Sequence, residues 1–423
     1  MMFDRVYRQR LEADLARWES DGVITPSAVA AIRVALPPLA PGINIAVVVA
    51  IVGGLLIAAA FLAFVAAHWT EITRLPRLAM LFAGILSAHG LGAWFARAGH
   101  PVLADLCAAV GAIVFGAAIA LVGQMYHLGG DFAGGMLLWA VGALATATLT
   151  GSRGALAVAL AAASIWSWMR VIETDVPHFA FVALWLLAGA LALAWNSRVA
   201  AHLVAVAALP WWMASAFQAP LDFRPSFILA NGAALLFGGG IALAVSPWPR
   251  AARIGSVLSI YGAFSLAGVA ILEATLANEV FRTRAAAGIA NQPLWTISCG
   301  VAGVILAFAA TATTRRAGTA FAAGAIGLVL AAVALWTPPQ SGEPWLAYAA
   351  LLCAMLCLVV SGMLDAARPR IVAGWLGIAG VIAAVTWAVK GSLLNRSIFL
   401  AVAGSFAVVL ALVLNRFVPR SRE

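Results

Sequence analysis

Two short stretches concentrate the side chains able to do chemistry. "AAHWTEI" (66–72) holds His68, Trp69 and Glu71, and "GQMYHLGGDF" (123–132) holds Gln124, Tyr126, His127 and Asp131. Histidine beside carboxylates offers ligand types that zinc accepts. The same pairing can relay protons, because histidine titrates near neutral pH. Polar residues at a helix end also cap the helix, bond to loop backbone or anchor at an interface. That structural reading ranks first for this cluster, a ligand or proton site second and a metal site last. No metal centre and no cofactor is expected. Four further ionisable residues lie inside apolar runs: His89, Asp105, His202 and Glu273. Asp105, His202 and Glu273 are near enough to the ends of their runs to snorkel or bond locally. His89 is deep, where an ionisable group is a functional candidate by default; a neutral ring bonded to a backbone carbonyl is the commoner explanation.

The elements that position these residues follow from composition. The chain has 423 residues, 64% hydrophobic and 10% charged, with a mean hydropathy of +1.02. A soluble domain carries about 25% charged residues, so a water-soluble core is excluded. Apolar runs of helical membrane-span length recur along the chain, without the alternation of a transmembrane barrel. The fold class is all-α, a polytopic transmembrane helical bundle of about 14 spans (12–14). The expected spans are 44–67, 78–96, 102–122, 133–149, 154–169, 179–195, 199–218, 227–245, 254–277, 295–312, 317–336, 345–364, 371–389 and 397–414.

Residues 1–40 are read as a short cytosolic helical hairpin on a proline-rich hinge. Phe3, Tyr7, Leu11, Leu15 and Trp18 recur at helical spacing, "SDG" (20–22) breaks the pattern, and Thr25-Pro26 starts a second helix bearing Ile24, Ala28, Ile32 and Ala35. Residues 41–150 then hold spans 1–4 and residues 151–418 the remainder. With a cytosolic N-terminus, the tails and even-numbered loops hold 17 of the 25 cations and the odd-numbered loops hold 8. That bias places both chain ends in the cytosol. Tryptophans at the expected boundaries, such as Trp166, Trp211 and Trp295 on one side and Trp94 and Trp195 on the other, fit the same topology. Asp131 and its neighbours then face outward.

In the third span Ala104, Ala108, Ala112, Gly116 and Ala120 form a small-residue stripe at i,i+4, which permits close helix packing. Extended by one step it reaches Gln124, with His127 beside it, so both are expected to point into the bundle. Tyr126 lies off the stripe as an interfacial anchor. Gly238-Gly239-Gly240 sits within a span as a packing or flexing site, and Asn231 as interhelical glue. Cys107, Cys299, Cys353 and Cys357 lie in apolar runs, where cysteine acts as a small hydrophobe. The thinly spread arginines give no nucleic-acid footprint. There is no phosphate-binding loop, HExxH or GxSxG.

"LARWESDGVITPSAVAAI" (15–32), "GGLLIAAAFLAFVAAHWTEI" (53–72), "FGAAIALVGQMYHLGGDF" (115–132) and "LLW" (137–139) together resemble Domain of Unknown Function twenty-one fifty-seven, predicted bacterial membrane proteins. The resemblance covers roughly residues 10–150. It implies that Trp69, Gln124, Tyr126, His127 and Asp131 are motif positions. His68 departs from the asparagine of the family pattern, which weakens a zinc site using that residue. The family implies location and architecture, not a catalytic role.

The sequence therefore implies a multi-pass bacterial inner-membrane protein, with the lipid bilayer as its first partner. Three roles fit, in descending order. The first is transport or lipid handling through an outward-facing polar pocket. The second is a membrane scaffold or sensor, with residues 1–36 binding a protein partner or a second copy. The third is a membrane-embedded enzyme on a lipid-linked substrate, which requires His127 within hydrogen-bond reach of Asp131, Glu71 or Glu273.

Overall fold

The structure is a computed structural model that describes residues 2–35, 73–127, 131–217, 224–276, 292–335 and 345–388, with scattered positions between 52 and 63. Fourteen α-helices are seen among the described residues. The first two, α1 (Met2–Ser20) and α2 (Pro26–Ala35), form the N-terminal hairpin. Twelve more follow: α3 (Arg74–Arg97), α4 (Pro101–Met125), α5 (Phe132–Thr150), α6 (Arg153–Thr174), α7 (Ala180–Ala194) and α8 (Arg198–Phe217), then α9 (Pro225–Ala244), α10 (Pro249–Leu276), α11 (Leu294–Thr314), α12 (Ala317–Leu335), α13 (Trp345–Leu364) and α14 (Arg368–Ala388). These twelve coincide with the second to thirteenth expected spans. The first and fourteenth, 44–67 and 397–414, lie mainly or wholly outside the described residues.

Eleven of these helices are long and apolar enough to cross a membrane. α7, with 15 residues, reaches about 22 Å at 1.5 Å per residue, against about 30 Å of hydrocarbon. Helices are the natural outcome for such runs, because lipid leaves backbone groups no solvent partner. Their ends are written locally. Proline opens α2, α4, α9 and α10, where its missing N–H costs nothing. Left-handed residues such as Gly151 (φ 67°) and Arg315 (φ 52°) close α5 and α11.

Both helices of the hairpin are present, and the residues they bury differ from the expected apolar stripe. Thr25 caps α2 through Ala28 N–H (3.3 Å), Arg33 pairs with Glu12 (3.0 Å), and among the described side chains of residues 10–35 the buried apolar ones are Leu15 and Val29. Ile32 and Ala35 are exposed.

The membrane helices share two cores. One joins α4 to α8 and is built largely of alanine. The other joins α9 to α14 around Phe237, Ile241, Leu266 and Leu358. α10 belongs to both: Ile254 and Val257 pack into the first core, Leu266 and Ala270 into the second. Small residues set these contacts. Trp139 of α5 donates its indole N–H to the Ala112 carbonyl (2.8 Å), and its ring fills the space over Gly116. In α9, Gly238 meets the Gly303 backbone of α11 and Gly240 meets the Ser259 backbone of α10, which makes the triple-glycine segment a packing site. Large apolar side chains such as Phe82, Leu86, Leu149, Leu186 and Phe308 cover the outside, where lipid is their solvent.

Cross-links between helix ends define two faces. At one, the Asp105 carboxylate of α4 accepts from Ser152 Oγ (2.6 Å) and from Gly154 N–H (3.1 Å) at the start of α6. At the other, Asp131 before α5 pairs with Arg170 near the end of α6. They are called below the Asp105 end and the Asp131 end.

Candidate functional site

The cluster expected at 66–72 and 123–132 is only partly visible. His68, Trp69 and Glu71 lie outside the described residues. Gln124, Tyr126 and His127 are exposed, whereas Met125 between them is buried. The inward orientation expected of Gln124 and His127 is therefore corrected. Each i,i+4 step advances about 400° round a helix of 3.6 residues per turn, a drift of about 40°. Five such steps from Ala104 to Gln124 carry the stripe about 200° round, to the opposite side. Ala108, Ala112 and Gly116 are buried, and Ala120 is already exposed. Tyr126 receives the Arg74 guanidinium over its ring at 5.8 Å. His127 follows α4 in the left-handed conformation (φ 49°); its N–H donates to the Gln124 carbonyl (3.3 Å), and its side chain has no hydrogen bond or ion pair among the described residues. It does not pair with Asp131 or Glu273.

Asp131 instead pairs with Arg170, which also holds Glu173 at 2.9 Å. The N–H of Gly134 and then the Arg170 guanidinium hold the Asp131 carboxyl below its ordinary value. One turn back on α6, Trp166 meets the His178 ring edge-on at 4.3 Å, and Trp211 donates to the His178 carbonyl (2.9 Å). Trp211, Trp212, Trp295 and Phe179 then close an aromatic cluster that ties α7, α8 and α11 together. Trp166 and Trp211, expected at the membrane boundary, are thus buried in protein. Burial, and secondarily the Arg170 charge, push the His178 imidazole below its ordinary value. The unfolded chain then binds the proton more tightly, so stability is full above about pH 6.5 and falls as the pH drops through the lowered value. Thermal unfolding of the His178→Gln variant is expected to lose this pH dependence below about pH 6.5.

The other intramembrane groups occupy local niches. The His89 ring sits in the notch left by Gly111 of α4, without a hydrogen bond among the described residues. Asp105 anchors the start of α6. His202 Nδ1 is 3.1 Å from the Tyr261 hydroxyl of α10.

Glu273 defines the most unusual site, with a partner that the sequence left unremarked. Arg224, at the N-cap position of α9, is 3% exposed and Glu273 on α10 is 1% exposed. Arg224 donates to Glu273 Oε1 (2.7 Å) and to the Val333 carbonyl in the last turn of α12 (2.8 Å). Its backbone N–H donates to Gln292 Oε1 (3.2 Å). One guanidinium therefore joins α9, α10 and α12 at the Asp131 end, while the segment before α11 holds its backbone. Glu273 Oε2 and the Tyr348 hydroxyl are buried without hydrogen-bond partners among the described residues. The only advance signal for Arg224 was an arginine at the edge of an apolar run, a common position for a surface cation. Among the described residues, no three His, Cys, Asp or Glu side chains gather as a metal site.

A bundle of long apolar helices with lipid-facing exteriors and its charges confined to helix ends or buried pairs defines a multi-pass helical membrane protein. Residues 16–156 match the model of the family described as "Predicted membrane protein (DUF2157)", the family that the motifs resemble. The match takes in the last residues of α1, then α2, α3, α4, α5 and the first residues of α6, and ends before the Arg224–Glu273 site. No curated protein and no solved structure matches the chain.

Proposed function

We propose that the protein carries a small polar solute across the bacterial inner membrane, and that Arg224 and Glu273 are the charged groups the solute meets. The observation that carries this reading is the buried pair itself. Charge within a membrane bundle is costly and characteristically marks ion or substrate paths, and Glu273 Oε2 is a buried acceptor with no hydrogen-bond donor among the described residues. The cation bias of the loops supports a topology with both chain ends in the cytosol and the pair toward the outer face. In this reading the path lies in the C-terminal bundle, and Gln124, Tyr126, His127 and Asp131 stand apart from it at the same end of the protein.

Single cysteines at Ser226, Ala230 and Val269, all buried, test the reading in a cysteine-free background. A membrane-impermeant thiol reagent applied to intact cells is expected to modify Ser226→Cys and Val269→Cys slowly, as the site opens to the outside. Complete protection of all three, with exposed Asp175→Cys at the same end labelled, would make the pair static packing and remove the carrier reading.

The hairpin supports a second reading, a scaffold or sensor. Trp18, Val23, Ile32 and Val34 are exposed on it, an apolar surface suited to a protein partner or a second copy. Deletion of residues 1–36 then abolishes function while Glu273→Gln leaves it intact.

A further inference from the structure

Apart from Ser27 in its first turn, α2 is apolar on every side that α1 leaves open. Its ten residues carry two polar side chains, Ser27 and Arg33, and both are engaged. Ser27 Oγ is 3.0 Å from Thr25 Oγ1, and Arg33 reaches back to Glu12 of α1 (3.0 Å). Val29 is the buried residue, whereas Ala30, Ala31, Ile32, Val34 and Ala35 are exposed, Val34 by 88%. The neighbouring stretch of α1 is the opposite, with Arg10, Glu12, Asp14, Arg17 and Glu19. A helix that is apolar nearly all round belongs in a core or in lipid, not in water.

The chain itself brings lipid within reach. Residues 36–43 link α2 to the expected span at 44–67 and can extend over at most about 30 Å. Gly54, within that span, lies against Leu106 in the second turn of α4, since a side chain at Gly54 would collide with the leucine. The span therefore begins at the Asp105 end, and α2 is tethered to that surface. Helix rotation orients the hairpin. Trp18 and Ile32, each three positions after a buried residue (Leu15 and Val29), are turned about 60° from the contact between the helices. In an antiparallel pair equal turns point to one side. Glu12 and Arg33 are turned by about 60° and 40° in the other sense, and their ion pair lies on the opposite side. An indole at the edge of an apolar surface is the usual mark of headgroup level.

We propose that α2 lies flat in the bilayer surface at the Asp105 end, with Ala31, Ile32, Val34 and Ala35 among the upper acyl carbons and α1 above it. Trp18 stands at headgroup level, as does Asp14, which Arg17 holds at 3.0 Å along the outer edge of α1. At about 15 Å, α2 is too short to cross about 30 Å of hydrocarbon, but immersion by about 5–10 Å covers an apolar helix face. The single cation of α2 is already neutralised by Glu12, so the attachment is apolar and needs no anionic lipid.

The test places single nitroxide labels on the full chain, in a cysteine-free background, reconstituted in dioleoyl phosphatidylcholine vesicles. At Ile32→Cys and Val34→Cys, collision with oxygen, which concentrates in lipid, is expected to exceed collision with a water-soluble nickel chelate several-fold. Ala13→Cys, on the side of α1 away from α2, should show the reverse. All three positions are exposed, so the labels leave the hairpin intact. Strong nickel access at Ile32 and Val34 would put α2 in water. Low access to both reagents would put it under protein, and spin–spin broadening would then identify a second copy as the cover. Either result overturns the placement in lipid.

Discussion

Replacing Glu273 by alanine is expected to lower the unfolding free energy by about 3–5 kcal/mol, the range for breaking a buried ion pair from one side. The Arg224 guanidinium would keep its bond to the Val333 carbonyl but lose its carboxylate, inside a core that water does not reach. Removing both charges is a different perturbation. Replacement of buried pairs by well-packed apolar residues is often neutral or stabilising, so Arg224→Met/Glu273→Leu should recover most of the single-variant loss. Reversible unfolding in mixed micelles measures both. A double variant as unstable as Glu273→Ala would show that the bond from Arg224 to α12 carries the stability and that the carboxylate adds little. The same pair of variants informs the carrier reading. A folded, stable double variant that lacks transport would separate the role of the charges from their role in folding.

The second large effect is expected where α9 crosses α11. A methyl group at Gly238 would occupy the position of the Gly303 carbonyl, and one at Gly303 would meet the backbone of Ala234 and Leu235. Backbone cannot rotate out of the way as a side chain can, so the helices must separate along their length. Gly238→Ala and Gly303→Ala should each cost about 1–3 kcal/mol or somewhat more, the range for overpacking a close contact. Gly268→Ala is the control, because that position is open, with nothing within 4 Å of a new Cβ. Helix propensity there favours alanine by up to about 1 kcal/mol. Equal effects at all three positions would show that the α9–α11 crossing is loose.

The two sites differ in how far sequence could reach them. Asp105 is legible as a helix-end carboxylate, and the structure gives it the start of the next membrane helix to anchor. Glu273 is legible as an ionisable group near the end of a span, yet its partner lies 49 residues away and the carbonyl that completes the arrangement lies 109 residues from Arg224. Nothing in the local pattern at Arg224 separates it from a cation that marks topology. Gln124 and His127 fail for a different reason. A small-residue stripe at i,i+4 keeps one face for two or three steps only, and the extrapolation crossed to the exposed side of α4.

The sequence by itself determined the class of protein, the positions of the twelve helices α3 to α14 and many of their ends. These are local properties: each apolar run must satisfy its own backbone hydrogen bonds in lipid, and proline and left-handed residues mark the limits residue by residue. Which polar side chains meet was decided only by tertiary structure. Arg224 with Glu273, Asp131 with Arg170 and Trp139 with Ala112 depend on which helices are neighbours and how each is rotated. Lipid solvates apolar surfaces evenly and so favours no particular pairing of helices. The choice falls to close contacts at small residues and to the few buried hydrogen bonds, which form only once the bundle is assembled.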